Sequence, residues 1–247
     1  MPLTPANLSR QPLFSGLDEM AWARLAKAIH GDSFGKKGVL VRQGELHPYM
    51  YVILSGRAAM SRVSDSGGEV VTRLAGPGES LLEECVFLGT PSPMTVECEA
   101  GCQLALLPAA TVHELVATCP TFARNIITAL SQRSEQMAVQ CQTLTITQAE
   151  DRLAGYMVQV MLEGGGPRQR FELPYTKATI AKHLGMTPET FSRTLKALAK
   201  RGVVVEGRAV TLTHLRALCH ACDPSHARKC PDHGTAQCQL HSADKRT

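Results

Sequence analysis

From Thr121 to Arg152 the chain runs for 32 residues without a glycine or a proline. Nothing in that stretch would break an α-helix, and a helix of that length far exceeds the three or four turns usual in globular proteins. Ile126, Leu130, Arg133, Met137, Gln140 and Leu144 recur along it in alternating steps of four and three. That spacing makes a narrow heptad seam with two polar positions, which suits a parallel pair of identical helices and so a homodimer. Packing of the same face on the chain's own sheets is the alternative. Either way the helix divides the sequence in two, with a hinge expected over Leu144 to Asp151.

The part before it is rich in short apolar runs: Val39 to Val41, Tyr49 to Leu54, Val70 to Leu74, Thr95 to Cys98 and Leu104 to Leu107. Gly44, Gly56, Gly67-Gly68, Gly76-Pro77-Gly78 and Gly101 stand between them. Short strands separated by turn residues at this spacing predict an antiparallel barrel or sandwich. Short helices are expected over Asp18 to His30 and near Ala110 to Ala117, after which Cys119-Pro120 leads into the long helix.

The part after it carries a more specific pattern. Thr176 to Leu184 reads as a short amphipathic helix with Ile180, Ala181 and Leu184 inward, and Gly185 follows where a tight turn needs a positive φ. Thr187 is a good N-cap, and Pro188 suits the first helical position, where its missing N–H costs nothing. From that start Glu189, Ser192 and Arg193 share one face, while Phe191, Leu195 and Leu198 take the other. Arginine pairs bidentately with guanine O6 and N7, and glutamate accepts from cytosine N4, so the polar face is suited to reading base edges. Helix, glycine turn and capped helix form a helix-turn-helix pattern. Gly202 ends the second helix after the basic turn Lys196 to Arg201. Val203 to Val205, a turn at Glu206-Gly207-Arg208, and Ala209 to Leu212 then predict a β-hairpin wing. A helical hairpin with a solvated face would show the two helices without the wing. Double-stranded DNA is the partner predicted, with Thr176, Thr187, Glu189, Thr190, Ser192, Arg193 and Lys196 as its contacts.

Charge follows the same division. Residues 1–146 carry a net −2, residues 147–218 carry +5, and residues 219–247 carry +1, so the basic excess lies with the helix-turn-helix, as a polyanion partner requires. No apolar run reaches the roughly 18 residues needed to span a bilayer. Met1 to Phe14 contains three prolines and no apolar core of a secretory signal; no membrane association and a cytoplasmic location are expected. No Ser/His/Asp arrangement, phosphate loop or paired-carboxylate motif is present, so an enzyme is not expected.

Nine cysteines make an odd number for a disulfide framework. Cys85, Cys98, Cys102, Cys119 and Cys141 are scattered and read as small buried hydrophobes. The other four form Cys219-x2-Cys222-x7-Cys230-x7-Cys238, interleaved with four histidines in a 29-residue tail. Four soft ligands this close can chelate one metal or cluster, a [4Fe–4S] cluster or a zinc ion; a tail of reduced thiols without metal is the alternative.

A glycine-punctuated β-domain, a long helix and a terminal winged helix together resemble the CRP/FNR family of bacterial transcription regulators over roughly residues 13–217. Arg42-Gln43-Gly44-Glu45, Tyr51-Val52-Ile53-Leu54-Ser55-Gly56 and Gly76-Pro77-Gly78-Glu79 carry the likeness, and Glu189-Thr190-Phe191-Ser192-Arg193 matches the Glu-x-x-Ser-Arg helix of the FNR-like and DNR-like branches. The resemblance implies an α+β chain with four parts: a sensor domain over 1–119, an antiparallel β-barrel of the cyclic-nucleotide-binding-like jelly-roll type; a dimerisation helix over 120–147; a winged helix-turn-helix over 148–217; and the Cys/His-rich tail over 218–247. It further implies a dimeric activator that reads TTGAT-type palindromes and works with RNA polymerase.

The cyclic-AMP-binding members hold the cyclic phosphate with a Gly-Glu pair and an Arg-Ser pair. Here Leu82 stands where that glycine belongs, in Ser80-Leu81-Leu82-Glu83-Glu84-Cys85, and no Arg or Lys lies between Arg73 and Arg124. A buried phosphate without a cation, beside two carboxylates, is strongly unfavourable, so cyclic AMP is not expected to bind. One branch of the family holds an oxygen-labile cluster through C-terminal cysteines, which favours an iron–sulfur reading of Cys219, Cys222, Cys230 and Cys238. Phe87-Leu88-Gly89-Thr90-Pro91 resembles the nitric-oxide-sensing DNR branch, which makes haem the rival, with His30, His47, His113 or Cys85 as axial ligand. The reading from another class is a haem- or small-molecule-binding carrier without DNA binding.

Overall fold

The computed structural model describes residues 5–63, 67–145, 148–166, 168–214 and 217–218. The chain divides into two compact units, Met1–Ala138 and a second beginning at Val139.

The first unit opens with α1 (Pro5–Leu8), a 3-10 turn (Pro12–Phe14) and α2 (Glu19–Ala28), which Asp18 caps by accepting the Ala21 N–H at 2.7 Å. Then come β1 (His30–Phe34), β2 (Gly38–Val41), β3 (Tyr49–Ser55), β4 (Ala58–Val63), β5 (Glu69–Ala75) and β6 (Ser80–Leu81). After α3 (Glu83–Leu88) follow β7 (Thr95–Cys98), β8 (Cys102–Pro108), α4 (Ala109–Thr118) and α5 (Pro120–Thr145). The strands form two antiparallel sheets in the orders β1-β8-β3-β6 and β2-β7-β4-β5. The expected barrel is therefore a double-sheet jelly roll: among the described residues the two sheets share no ladder.

Strand β3 shows why its sequence reads as a continuous apolar run rather than an alternation. Tyr51 and Ile53 point between the sheets, where Val41, Met60, Leu81, Val96 and Leu104 meet them. Met50 and Val52 point the other way, into a layer of helices that supplies Phe14, Leu25, Val112, Leu115, Phe122 and Ile126. Both faces are covered, so neither tolerates polar residues. Strand β1, His-Gly-Asp-Ser-Phe, is invisible to that logic: it is mostly exposed and is held on β8 by backbone pairing, with Phe34 alone packing against the core. Ala-rich β4 and two-residue β6 also lack the apolar signature of a strand.

The long helix ends at Thr145, and α6 (Ala149–Glu163) starts anew, so the 32-residue run is two helices rather than one. In its first half Phe122 and Ile126 sit in the helical layer, and the Asn125 amide donates to the Leu13 and Ser15 carbonyls at 3.0 and 2.9 Å. Arg133 then grips α3. Its guanidinium makes a two-point ion pair with Glu84 (2.7 and 2.9 Å) and reaches Glu83 at 3.3 Å.

In the second unit α6 is followed by β9 (Arg170–Glu172), α7 (Lys177–His183), α8 (Pro188–Lys200), β10 (Val203–Glu206) and β11 (Ala209–Leu212). Strands β9, β10 and β11 form a three-stranded antiparallel sheet in the order β10-β11-β9. Leu153, Ala154 and Met157 of α6, Ile180 of α7, Phe191 and Leu198 of α8, and Val203 and Val210 of the sheet are all buried.

The Glu84–Arg133 pair makes the first unit acid-sensitive. Burial opposes ionisation of Glu84, but its hydrogen bonds and charge contact with Arg133 override this and hold the carboxyl below its ordinary value of 4.5. A carboxyl depressed in the folded state stabilises above the unfolded pKa, and that contribution is lost as pH falls through the folded one. Wild-type stability, followed by urea unfolding, is expected to drop as pH falls below 4.5, and Glu84→Gln to flatten that slope.

Candidate nucleic-acid interface

Each helix of the helix-turn-helix begins on a threonine. Thr176 accepts the Thr179 N–H at 3.2 Å and caps α7; Thr187 accepts the Thr190 N–H at 3.2 Å and caps α8, with Pro188 in the first turn. Between them Gly185 has φ +63°, a conformation that a Cβ would strain, and the Met186 N–H closes the turn on the Ala181 carbonyl at 2.9 Å. Ile180, Ala181 and Leu184 are buried as expected, as are Phe191 and Leu198. Leu195 is half-buried, and Thr194, which the apolar pattern missed, is buried with its hydroxyl donating to the Thr190 carbonyl at 2.9 Å.

The outward face separates the predicted contacts into two sets. Glu189, Ser192, Arg193 and Lys196 are exposed, and at i, i+3, i+4 and i+7 they form one stripe. The Glu189 carboxyl lies below the usual range, held there by its own backbone N–H and the Arg193 charge, and acts as an acceptor. Thr176, Thr187 and Thr190 have their hydroxyls engaged in the caps, with Thr187 donating to Thr190 at 3.1 Å. These bonds fix where the two helices begin.

The wing is a two-residue hairpin in which Glu206 pairs with Ala209 and Gly207 has φ +58°. The Arg208 guanidinium donates to the Leu173 and Pro174 carbonyls at 2.8 and 2.6 Å, which ties the wing tip to the strand-to-helix connection before α7.

The seam requires correction. Ile126 is buried in the chain's own core, and Arg133 is committed to Glu84 and Glu83. Gln140 contacts His183 at 3.2 Å. These three, seven residues apart, face inward. The outward stripe comprises Ile127 (63% exposed), Leu130, Ser134, Met137 (57% exposed), Cys141 and Leu144, a heptad register in steps of three and four. Of the expected seam residues Leu130, Met137 and Leu144 lie on this outward stripe, and Ile126 and Arg133 do not. The anchoring residues Phe122 and Ile126 decide the roll of the helix, and a sequence period of 3.5 cannot distinguish two adjacent stripes.

The cassette over Ser80 to Cys85 is filled by the chain itself. Leu82 has φ +64°, the one positive φ of a non-glycine among the described residues, a backbone state costing about 1 kcal/mol or more for a side-chain-bearing residue. Glu83 is 1% exposed, accepts from the Ser80 hydroxyl at 2.6 Å and pairs with Arg133. Arg133 is the cation absent between Arg73 and Arg124, and it arrives from the long helix already neutralised.

Of the haem candidates, His30 and His113 are exposed, with the His113 Nε2 against the Val86 carbonyl at 3.2 Å. His47 and Cys85 do come together, lining a cavity of about 230 Å³ with Leu46, Pro48, Val86 and Thr90 among its other walls. No Lys or Arg lines it to pair with propionates, and the His47 ring lies against the Tyr51 hydroxyl at 2.5 Å. Cys85, Cys98, Cys102 and Cys119 are buried thiols, as expected, whereas Cys141 is exposed. Cys219, Cys222, Cys230 and Cys238 lie outside the described residues; within those residues no three His, Cys, Asp or Glu side chains gather as a metal site. Nor is any described helix long and apolar enough to cross a membrane.

Comparison with known proteins agrees with this division of the chain. Residues 32–119 match the cyclic nucleotide-binding domain family, and residues 151–221 match the Crp-like helix-turn-helix domain. The cyclic AMP receptor protein of Thermus thermophilus is 31% identical over 167 residues, covering 66% of this chain and 73% of that protein. A CRP-like cAMP-activated global transcriptional regulator of Mycobacterium tuberculosis is 24% identical over 212 residues, covering 83% and 94%. The anaerobic regulatory protein of Haemophilus influenzae is 27% identical over 189 residues, covering 74% and 72%. Among solved structures FixK2 of Bradyrhizobium japonicum shares the fold, with a TM-score of 0.69 at 19% identity over 78% of this chain and 96% of that one. A jelly roll with a long helix, a capped helix-turn-helix with its wing, and this relationship to a cyclic AMP receptor protein make the chain a member of the CRP/FNR family of transcriptional regulators, with a DNA-binding rather than an enzymatic role.

Proposed function

We propose that this regulator is a homodimeric activator that reads TTGAT-type pseudo-palindromes, works with RNA polymerase, and answers a redox, oxygen or nitric oxide signal rather than cyclic AMP. The observation that carries the reading is the exposed stripe Glu189–Ser192–Arg193–Lys196 on a helix whose start is fixed by Thr187 and Pro188. Arginine on guanine and glutamate on cytosine supply base readout, and Lys196 one turn on suits a phosphate.

Two-fold symmetry comes from the outward stripe of α5. An exposed row from Ile127 to Leu144 in heptad register is apolar surface that a second copy of the helix would bury. Two recognition helices then fall in successive major grooves of a palindrome.

Cyclic AMP is disfavoured by the occupied cassette. Its carboxylate Glu83 is satisfied by Ser80 and Arg133, and Arg133 by Glu84, so a phosphate entering there would compete with two carboxylates for Arg133. The signal reading rests on the sequence of the tail. Cys219, Cys222, Cys230 and Cys238 have the spacing of a cluster or zinc site, and several relatives are anaerobic regulatory proteins.

Arg193→Ala should weaken binding to a TTGAT–ATCAA duplex by roughly tenfold or more, equivalent to about 1–3 kcal/mol, and relax discrimination at the guanine it reads. Fluorescence anisotropy measures both, and undiminished affinity sinks the assignment. Met137→Lys, on an exposed position, should leave both units folded yet shift sedimentation from dimer to monomer; an unchanged dimer would place the interface elsewhere. Anaerobic purification should give a protein with a broad visible absorption that air bleaches and that a Cys219→Ala, Cys222→Ala double substitution abolishes. A colourless protein containing zinc, or a Soret band, would replace the iron–sulfur reading.

A further inference from the structure

Three consecutive residues lead the chain out of α7 toward α8, and each is held by a residue from outside the helix-turn-helix. His183 accepts at Nδ1 from the Gln140 amide at 3.2 Å, and its ring stands edge-on to Tyr156 with centroids 6.2 Å apart. The Leu184 carbonyl accepts from the Arg152 guanidinium at 3.1 Å. Gly185 lies under Leu144, whose Cδ2 stands 3.3 Å from where a Cβ on that glycine would be. Arg152 and Tyr156 belong to α6, whereas Gln140 and Leu144 belong to the last two turns of α5. Those two turns are part of the second unit, which begins at Val139.

The contacts from α6 are packing between neighbouring helices of one core, where Tyr156 is buried. Those from α5 are of another kind. Gln140 is half-buried and Leu144 is 44% exposed, so neither adds much apolar burial to the unit. What they supply is position. Gly185 has φ +63° and no side chain, so the Leu144 methyl meets the backbone of the turn directly. Thr187 caps α8 two residues later and Pro188 begins it. A shift of the turn therefore passes to Glu189, Ser192 and Arg193 with little chain between to absorb it.

We propose that Gln140 and Leu144 are positioning residues for DNA recognition: the end of α5 braces the α7–α8 turn and so sets where the recognition helix begins. Base readout needs α8 held at one angle in the groove, whereas non-specific binding needs only the positive charge of the unit. Neither residue is charged, so the brace acts on the first and not on the second. Leu144 also lies on the outward stripe of α5. A second copy packed there would bear on the same side chain, and the turn would register closure of the dimer. That last step rests on the dimer proposed above; the brace itself does not.

The test uses the full-length protein and the duplex that the wild type selects from a random pool, so that it does not depend on the TTGAT reading. Affinities are compared at concentrations where sedimentation shows variant and wild type in the same oligomeric state. Gln140→Ala and Leu144→Ala should each weaken binding of the selected duplex by about threefold or more. Affinity for an unrelated duplex, and the salt dependence of both, should stay as in the wild type. Leu144→Met, which keeps the side-chain volume, should restore the selected-duplex affinity. Gln140→Ala added to His183→Ala should cost no more than His183→Ala alone, because the partner is already gone. Without DNA, amide exchange over 184–190 should quicken in Gln140→Ala while that over 153–158 is unchanged. Wild-type affinity of both alanine variants for the selected duplex overturns the proposal. An equal loss on both duplexes does the same, since it marks plain destabilisation, and so do additive losses for Gln140→Ala and His183→Ala.

Discussion

Arg133, together with Phe122 and Ile126, fixes the roll of the long helix on the first unit, and much else depends on that angle. With Phe122 and Ile126 seated in the helical layer and Arg133 drawn to Glu84 and Glu83, one face of the helix is committed inward. The neighbouring stripe, from Ile127 to Leu144, is left outward, apolar except at Ser134. The same ion pair occupies the carboxylates of the cassette that in cyclic-AMP-binding relatives receives the ligand. A partly buried two-point pair resists screening more than a surface one. Removing either partner would leave the other's charge stranded.

Leu82 makes the departure from the cyclic-nucleotide binders a matter of backbone as well as charge. Leu82 holds a left-handed conformation that a glycine would adopt without strain. The Leu82 side chain is wholly buried between the sheets, and that burial, about 2 kcal/mol or more for a leucine, offsets the local strain.

Sequence periodicity resolved the second unit more fully than the first. The helices of the helix-turn-helix, Gly185, the caps at Thr176 and Thr187, and the wing all follow from residues close in sequence: hydroxyls before helices, positive-φ glycines, paired apolar strands. In the first unit β1 and β4 were missed because backbone pairing to β8 and to β5 and β7 holds them, and their own side chains carry little pattern.

The sequence by itself determined the local chemistry: where helices start and stop, which face of α8 carries Glu189, Ser192 and Arg193, and the absence of a cation in the cassette's own segment. These are properties of residues within a few positions of one another, set by propensity, capping and the 3.6-residue repeat. The tertiary structure decided everything that required a partner distant in the chain. It chose Ile127 over Ile126 for the outward stripe, because the inward one is filled by Phe14, Leu25 and Leu115. It brought Arg133 to Glu84 across some fifty positions of sequence, and it set Gly56 close behind the Cys102 backbone. Such contacts depend on how separate elements pack, and a repeat read along one element carries no record of what lies across from it.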